Sequence, residues 1–430
     1  MSYQDRLLKV IPGGAHTYSR GYDQYPSNAP QILSRGKGAY IFDPEGNKYL
    51  DYGMALRAVN IGYAEDEIDA AAIEQIKNGN NLTRPSMIEL EAAELLTDLF
   101  DSVDMVKFTK NGSTAVSAAV KLARAYTGRE LVARCAEHPF FSYDDWFIGS
   151  TPLTRGIPQD TIEKTKMFRY NDISSLEQLI ERHPGEFACV ILEPAATEEP
   201  KEGFLLQVQE LCRANGIVFV LDEMITGFRW HMKGAQHVYG VVPDLCTFGK
   251  AMANGFAVAC IAGKREIMEL GSIEFEGRER VFLLSTTHGA EMCGLGAFVA
   301  NVRFMQRHKV VEHLWDYGRK LTAMMQRQAE AHGLDHSFKV GGIPCSPYYL
   351  TLDASGANSL GLRTLFSQEM IRNGVLMPWI AISYRHGDTE LVATEHAIEQ
   401  TFKTYRLALN EGVEKYLDGP VIKPVFRKYN

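Results

Sequence analysis

Three polar features stand at the ends of apolar runs in this 430-residue chain. Asn111-Gly112-Ser113 follows MVKFTK (105–110), Asp222 follows IVFVL (217–221), and Lys250 follows LCTFG (245–249). A helix N-terminus carrying Gly and Ser offers backbone N–H groups and a hydroxyl to a phosphate. A carboxylate at a buried strand end can hold a protonated ring nitrogen, and a lysine can form a Schiff base with an aldehyde. Phosphate, ring nitrogen and aldehyde are the three handles of pyridoxal 5′-phosphate, and a lysine with an acidic ring partner marks sites for it. Taken singly, each feature has a plainer reading: a turn and its N-cap, a strand-end cap or metal ligand, a surface lysine. Their shared position favours one ligand, because open parallel sheets bind ligands outside the carboxyl ends of their strands.

The elements that must hold these residues are legible as apolar patterning. Met105 to Lys110 alternates like a strand. The segment Ser113 to Thr127 reads as a helix with Val116, Val120 and Ala123 on one face, stopped by Gly128. Phe187 to Leu192 and Ile217 to Leu221 are continuous apolar runs, as expected of strands buried on both faces. The helix between them, Leu205 to Asn215, completes a βαβ unit. Leu245–Gly249 and Ala257–Ala262 read as further strands, and His308–Ala331 as a long amphipathic helix. Beyond it, strands at Tyr348–Leu352 and Gly374–Pro378 alternate with helices near 359–373 and 389–411. The expected class is α/β, a mostly parallel sheet with a second α+β portion.

Composition narrows the function classes. Lys plus Arg is 45 against 53 Asp plus Glu, a net charge of −8 with no basic block, which argues against nucleic acid as a partner. The longest apolar runs fall far short of a membrane helix. The start, MSYQDRLLKVIPGG, lacks an apolar signal-peptide core, so a cytoplasmic place is expected. Seven scattered cysteines without a CxxC read as reduced thiols rather than disulfides or a metal site.

LDEMITGFR (221–229), PDLCTFGK (243–250) and IPGG (11–14) resemble the class III pyridoxal-phosphate-dependent aminotransferases, and most nearly their glutamate-1-semialdehyde 2,1-aminomutase branch. GKGAYIFDPEGNKYLDY (36–52), LARAYTGR (122–129) and VILEP (190–194) fit the same family. The resemblance implies the fold-type-I architecture: a large cofactor domain over 65–310 and a small domain built from both chain ends, 1–64 and 311–430. It implies Lys250 as the Schiff-base lysine and proton-transfer base, Asp222 as the ring-nitrogen partner, and Met224 against a ring face; two residues past Asp222, Met224 is expected on the same side of an extended strand end. It also implies Gly112 and Ser113 at the phosphate, and Thr286 reaching the phosphate of a neighbouring subunit in a homodimer with shared sites.

Departures from the family pattern fall on the substrate side. Aligned on Asp145-Trp146, Phe140 replaces the usual stacking tyrosine and Phe141 the histidine of Tyr-His-Gly. A phenylalanine still stacks but lacks the hydroxyl. Glu198 falls where related enzymes carry Asn or Glu near the substrate. Arg20 matches an arginine that meets a substrate carboxylate. The aminomutase's Ser-Trp-Gly-Pro becomes Ala55-Leu56-Arg57-Ala58, adding the positive Arg57, and the segment after Met377-Pro378 is shortened. An aminomutase must retain its intermediate, so the altered pocket points to an intermolecular aminotransferase. It would pass an amino group from a donor such as glutamate to a keto or aldehyde acceptor, a keto-sugar or keto-acid among them. The aminomutase itself and a racemase are the alternatives within the class. A non-catalytic binding protein on the same fold is the alternative outside it.

Overall fold

The computed structural model describes residues 1–274 and 276–429. The chain divides into two compact units, residues 66–311 and residues 1–65 with 312–430.

The unit 66–311 is built on a seven-stranded sheet. Its strands in chain order are β1 (Met105–Thr109), β2 (Leu131–Cys135), β3 (Thr165–Phe168), β4 (Phe187–Leu192), β5 (Val218–Asp222), β6 (Leu245–Phe248) and β7 (Ala259–Gly263). Their spatial order is β1-β7-β6-β5-β4-β2-β3. Only β7 runs antiparallel to its neighbours, β1 and β6. Every residue of β4, β5, β6 and β7 is buried, which explains their unbroken apolar character. One face of the sheet carries a cluster of Phe168, Val190, Leu192, Phe219 and Leu221 beneath Leu205, Val208 and Cys212 of the helix Phe204–Asn215. The small-residue helix Gly112–Thr127 buries Ala115, Val116, Ala119, Val120 and Ala123. It ends where Gly128 takes a left-handed conformation at φ +69°, donating its N–H to Arg124 O.

Two strands of this sheet escape the sequence pattern. Leu131–Cys135 contains Arg134, which is buried but fully engaged with Ser150 and the carbonyls of Cys135 and Ala136. Thr165–Phe168 is an edge strand with a charged residue at its centre.

The unit of both chain ends holds a four-stranded sheet, ordered Arg35–Lys37, Tyr40–Phe42, Lys48–Asp51, Val375–Leu376. The first three strands are antiparallel, and the last pairs parallel with the third. A hairpin of Phe338–Ile343 with Ser346–Thr351 packs Phe338 and Tyr349 against Phe366 and Phe402. Among the described residues no helix is long and apolar enough to cross a membrane. All seven cysteines are free, six of them buried.

Candidate active site

The site is assembled at the carboxyl ends of β5 and β6. These strands pair in parallel, with Asp222 opposite Thr247. Asp222 closes β5 and is 3% exposed. Its Oδ1 accepts two hydrogen bonds, from Met224 N at 3.0 Å and from Thr247 Oγ1 at 3.0 Å. No hydrogen bond among the described residues falls on Oδ2. Burial pushes the Asp222 carboxyl up to about 6, against the pull of the Lys250 charge and of those two donors. The carboxylate is therefore still mostly ionised at neutral pH.

Lys250 follows β6 and sits at φ +44°, a left-handed conformation unusual for a side-chain-bearing residue. Such strain persists where surrounding structure fixes it, and it clusters at functional sites. Met224 differs from the extended geometry expected for it. The strand ends at Asp222 and the chain turns back, so Met224 N–H bonds the Asp222 carboxylate rather than continuing the pleat. Its sulphur is instead fixed between two backbones: a Cβ added at Gly112 would lie 2.9 Å from Met224 Sδ, and one at Gly249 2.6 Å. Met224, Gly112 and Gly249, the residue before Lys250, thus meet at one point.

Gly112 and Ser113 open the helix Gly112–Thr127. Its N-cap is Asn111, whose Oδ1 accepts from Thr114 N at 2.9 Å. The N–H groups of Gly112 and Ser113 precede the first intrahelical donor and have no acceptor within the helix. The segment carrying Phe140 is tied onto this helix. Tyr143 N donates to Ser113 Oγ at 3.1 Å, Ser142 Oγ lies 3.0 Å from Ser117 Oγ, and Trp146 Nε1 donates to Ser117 Oγ at 2.9 Å. Phe140 itself is 47% exposed with its edge against Phe147, while Phe141 is buried. A buried acid with one free oxygen, a neighbouring lysine and an open helix N-terminus form the donor set that pyridoxal phosphate requires.

The other expected residues are not gathered at this point. Thr286 is exposed on the loop before the helix Met292–His308. That loop is anchored by residues the patterning did not single out: Lys110 Nζ bonds Glu291 at 2.6 Å, and Asn80 Nδ2 reaches the other Glu291 oxygen at 2.8 Å. Glu198 is exposed on the loop after β4. Arg20 and Arg57 belong to the unit of both chain ends. Arg20 ends a short 3₁₀ turn and is exposed, and Arg57 ends the turn Met54–Arg57.

Two further buried polar groups were missed. Thr247 lies within the apolar run LCTF, where a threonine reads as strand filler. Glu223, next to Asp222, accepts from Ala235 N and Gln236 N at 2.9 and 2.8 Å and bonds Thr226 Oγ1, which makes it a strut for the chain after β5.

The family model "Aminotransferase class-III" matches residues 22–343. The chain is 33% identical over 411 residues to the 3-aminobutyryl-CoA aminotransferase of Cloacimonas acidaminovorans, covering 93% of this chain and 96% of the relative. It is 30% identical over 431 residues to the glutamate-1-semialdehyde 2,1-aminomutase of Salinibacter ruber, covering 95% of each. Among solved structures, the PLP form of the FumI protein of Sphingopyxis sp. MTA144 superposes with a TM-score of 0.87 at 26% identity, covering 95% of this chain and 97% of that one.

Proposed function

The chain belongs to the class-III aminotransferase family, whose cofactor is pyridoxal 5′-phosphate, and we propose that it works between two separate substrates, taking an amino group from a donor such as glutamate and passing it to a keto-acid or keto-sugar. The supporting observation is the Asp222 carboxylate. Its Oδ1 is held by two donors while no donor among the described residues falls on Oδ2, and the Lys250 charge favours its ionised form against the effect of burial.

Bound pyridoxal phosphate supplies an electrophilic carbon and an electron-withdrawing ring. Asp222 Oδ2 would hold the proton on its ring nitrogen. Lys250 Nζ would hold the cofactor in the absence of substrate, and as a free amine it would serve as the base that moves a proton at the substrate's amine-bearing carbon. Gly112 and Ser113 N–H groups, with the Ser113 hydroxyl, hold the phosphate at the helix N-terminus. Met224 and Phe140 would pack against the bound ring. Thr286, exposed in the single chain, completes the phosphate site of a second copy, so the working unit is a homodimer in the cytoplasm. Arg20 and Arg57 take a carboxylate or phosphate of the substrate, and Glu198 contacts the substrate from its loop. Glutamate-1-semialdehyde aminomutase chemistry remains the alternative that the second relative supports.

The test is a half-reaction screen. The holoenzyme is converted with L-glutamate, freed of keto product, and offered keto-acids, keto-sugars and, because of the first relative, 3-oxoacyl-CoA thioesters. Restoration of the yellow form by one of these acceptors supports the proposal. Conversion of glutamate-1-semialdehyde with full retention of the amino group, and no response to any separate acceptor, would overturn it.

A further inference from the structure

Residues Met54, Ala55, Leu56 and Arg57 form a turn of left-handed helix, at φ +40°, +49°, +63° and +66°, and none of them is glycine. L-residues pay a steric penalty at each such position, so left-handed residues ordinarily occur singly. A run of four side-chain-bearing residues must be held from outside. The holder is a buried acid and a phenol. Asp51, 3% exposed, accepts from Gly53 N at 2.7 Å on Oδ1 and from Met54 N at 3.0 Å on Oδ2. Tyr63 donates its hydroxyl to Asp51 Oδ2 at 2.6 Å and accepts from Ala55 N at 2.8 Å. Three successive backbone N–H groups are thereby taken by one carboxylate–phenol pair, and Trp379 Nε1 closes the turn on Gly53 O at 3.1 Å.

We propose that Asp51 and Tyr63 are positioning residues for the substrate's anionic group: by holding residues 54–57 left-handed they fix the direction in which Arg57 leaves the backbone. This rests on the reading of Arg57 as a substrate arginine. A left-handed turn reverses the direction in which successive side chains leave the backbone relative to a right-handed one, so loss of the clamp swings Arg57 away without removing its charge.

The holoenzyme is titrated with glutarate, and with glutaramide as the uncharged control, following the visible absorbance of the bound cofactor. Tyr63→Phe keeps the ring and removes both hydroxyl bonds. It is expected to weaken glutarate binding about ten-fold or more, leaving glutaramide within about two-fold. Asp51→Asn, a second variant should the first fold poorly, is expected to do the same. Arg57→Ala weakens glutarate similarly, and Tyr63→Phe added to it costs less than about two-fold more, because both act through one arginine. Ala55→Gly, which removes the left-handed penalty at that residue, restores at least about three-fold of the binding lost in Tyr63→Phe. Tyr63→Phe and Asp51→Asn binding glutarate like the wild type, while Arg57→Ala does not, overturns the clamp and leaves the substrate reading standing. Arg57→Ala binding like the wild type overturns the substrate reading and the clamp with it.

Discussion

Thr247 and Met224 converge on one oxygen of Asp222: Thr247 Oγ1 and Met224 N each lie 3.0 Å from Oδ1. The carboxylate is thus fixed in rotation as well as in charge, with Oδ2 presented by two bonds on its twin. Thr247 comes from the neighbouring strand, three residues before Lys250, so one strand end sets both the lysine and the aim of the acid.

Thr247→Val removes one of the two donors while keeping the shape of a fully buried side chain. A hydrogen bond to a charged group contributes about 1.5–3 kcal/mol, so kcat/KM should fall roughly 10- to 100-fold. The lost bond had lowered the Asp222 carboxyl, so the acid limb of the pH–rate profile should move to higher pH. Steady-state kinetics between pH 5 and 8 reads both; an unmoved acid limb contradicts the role given to Thr247.

Asp222→Asn separates stability from function. The folded-state carboxyl lies at about 6 against 3.8 for the free group. A raised acid contributes stability that is present below its unfolded value and is lost as pH rises through its folded value. In the cofactor-free protein at pH 8 the ionised Asp222 therefore costs up to about 3 kcal/mol. Urea unfolding of the cofactor-free variant should show a gain of about 1–3 kcal/mol at pH 8 that shrinks toward pH 5, while transamination is lost. A variant that is less stable at pH 8 refutes this.

Gly249→Ala tests the packing of Met224. The added methyl meets Met224 Sδ at 2.6 Å and the Ala259 side chain at 3.2 Å. Because overpacking a filled site costs about 1–3 kcal/mol, cofactor affinity should drop about ten-fold or more with little change in fold. Fluorescence titration of the cofactor-free protein with pyridoxal phosphate measures it, and an unchanged affinity would place Met224 away from the ring.

Ser117→Ala removes the shared partner of Ser142 and Trp146 and so loosens the segment that carries Phe140. Faster cofactor release on dilution, by about three- to ten-fold, is expected from the loss of one or two neutral hydrogen bonds. Release at the wild-type rate would show that the segment is held by other contacts.

How much of this was legible followed from where polarity interrupts apolar runs. Asp222, Lys250 and Asn111-Gly112-Ser113 each end a run, and the seven-stranded sheet brings the first two side by side. Thr247 was hidden because it lies inside such a run and reads as strand filler. Strand β2 was hidden because Arg134 breaks its apolar pattern, although tertiary contacts satisfy that arginine in the interior. Met224 was placed on the pleat by a period-two argument that fails once the chain turns back at Asp222. The left-handed turn at 54–57 had no glycine within it to announce it; it is held by Asp51 and Tyr63, 12 residues apart.

The most direct test is a single turnover without acceptor. Purified holoenzyme is mixed with L-glutamate alone, and both the visible absorbance and the keto product are followed. The yellow colour should bleach with release of about one keto-acid per subunit, and Lys250→Ala, still able to bind cofactor through its phosphate, should release none. A wild-type protein that stays colourless with added pyridoxal phosphate, or a Lys250→Ala variant that turns over normally, contradicts it.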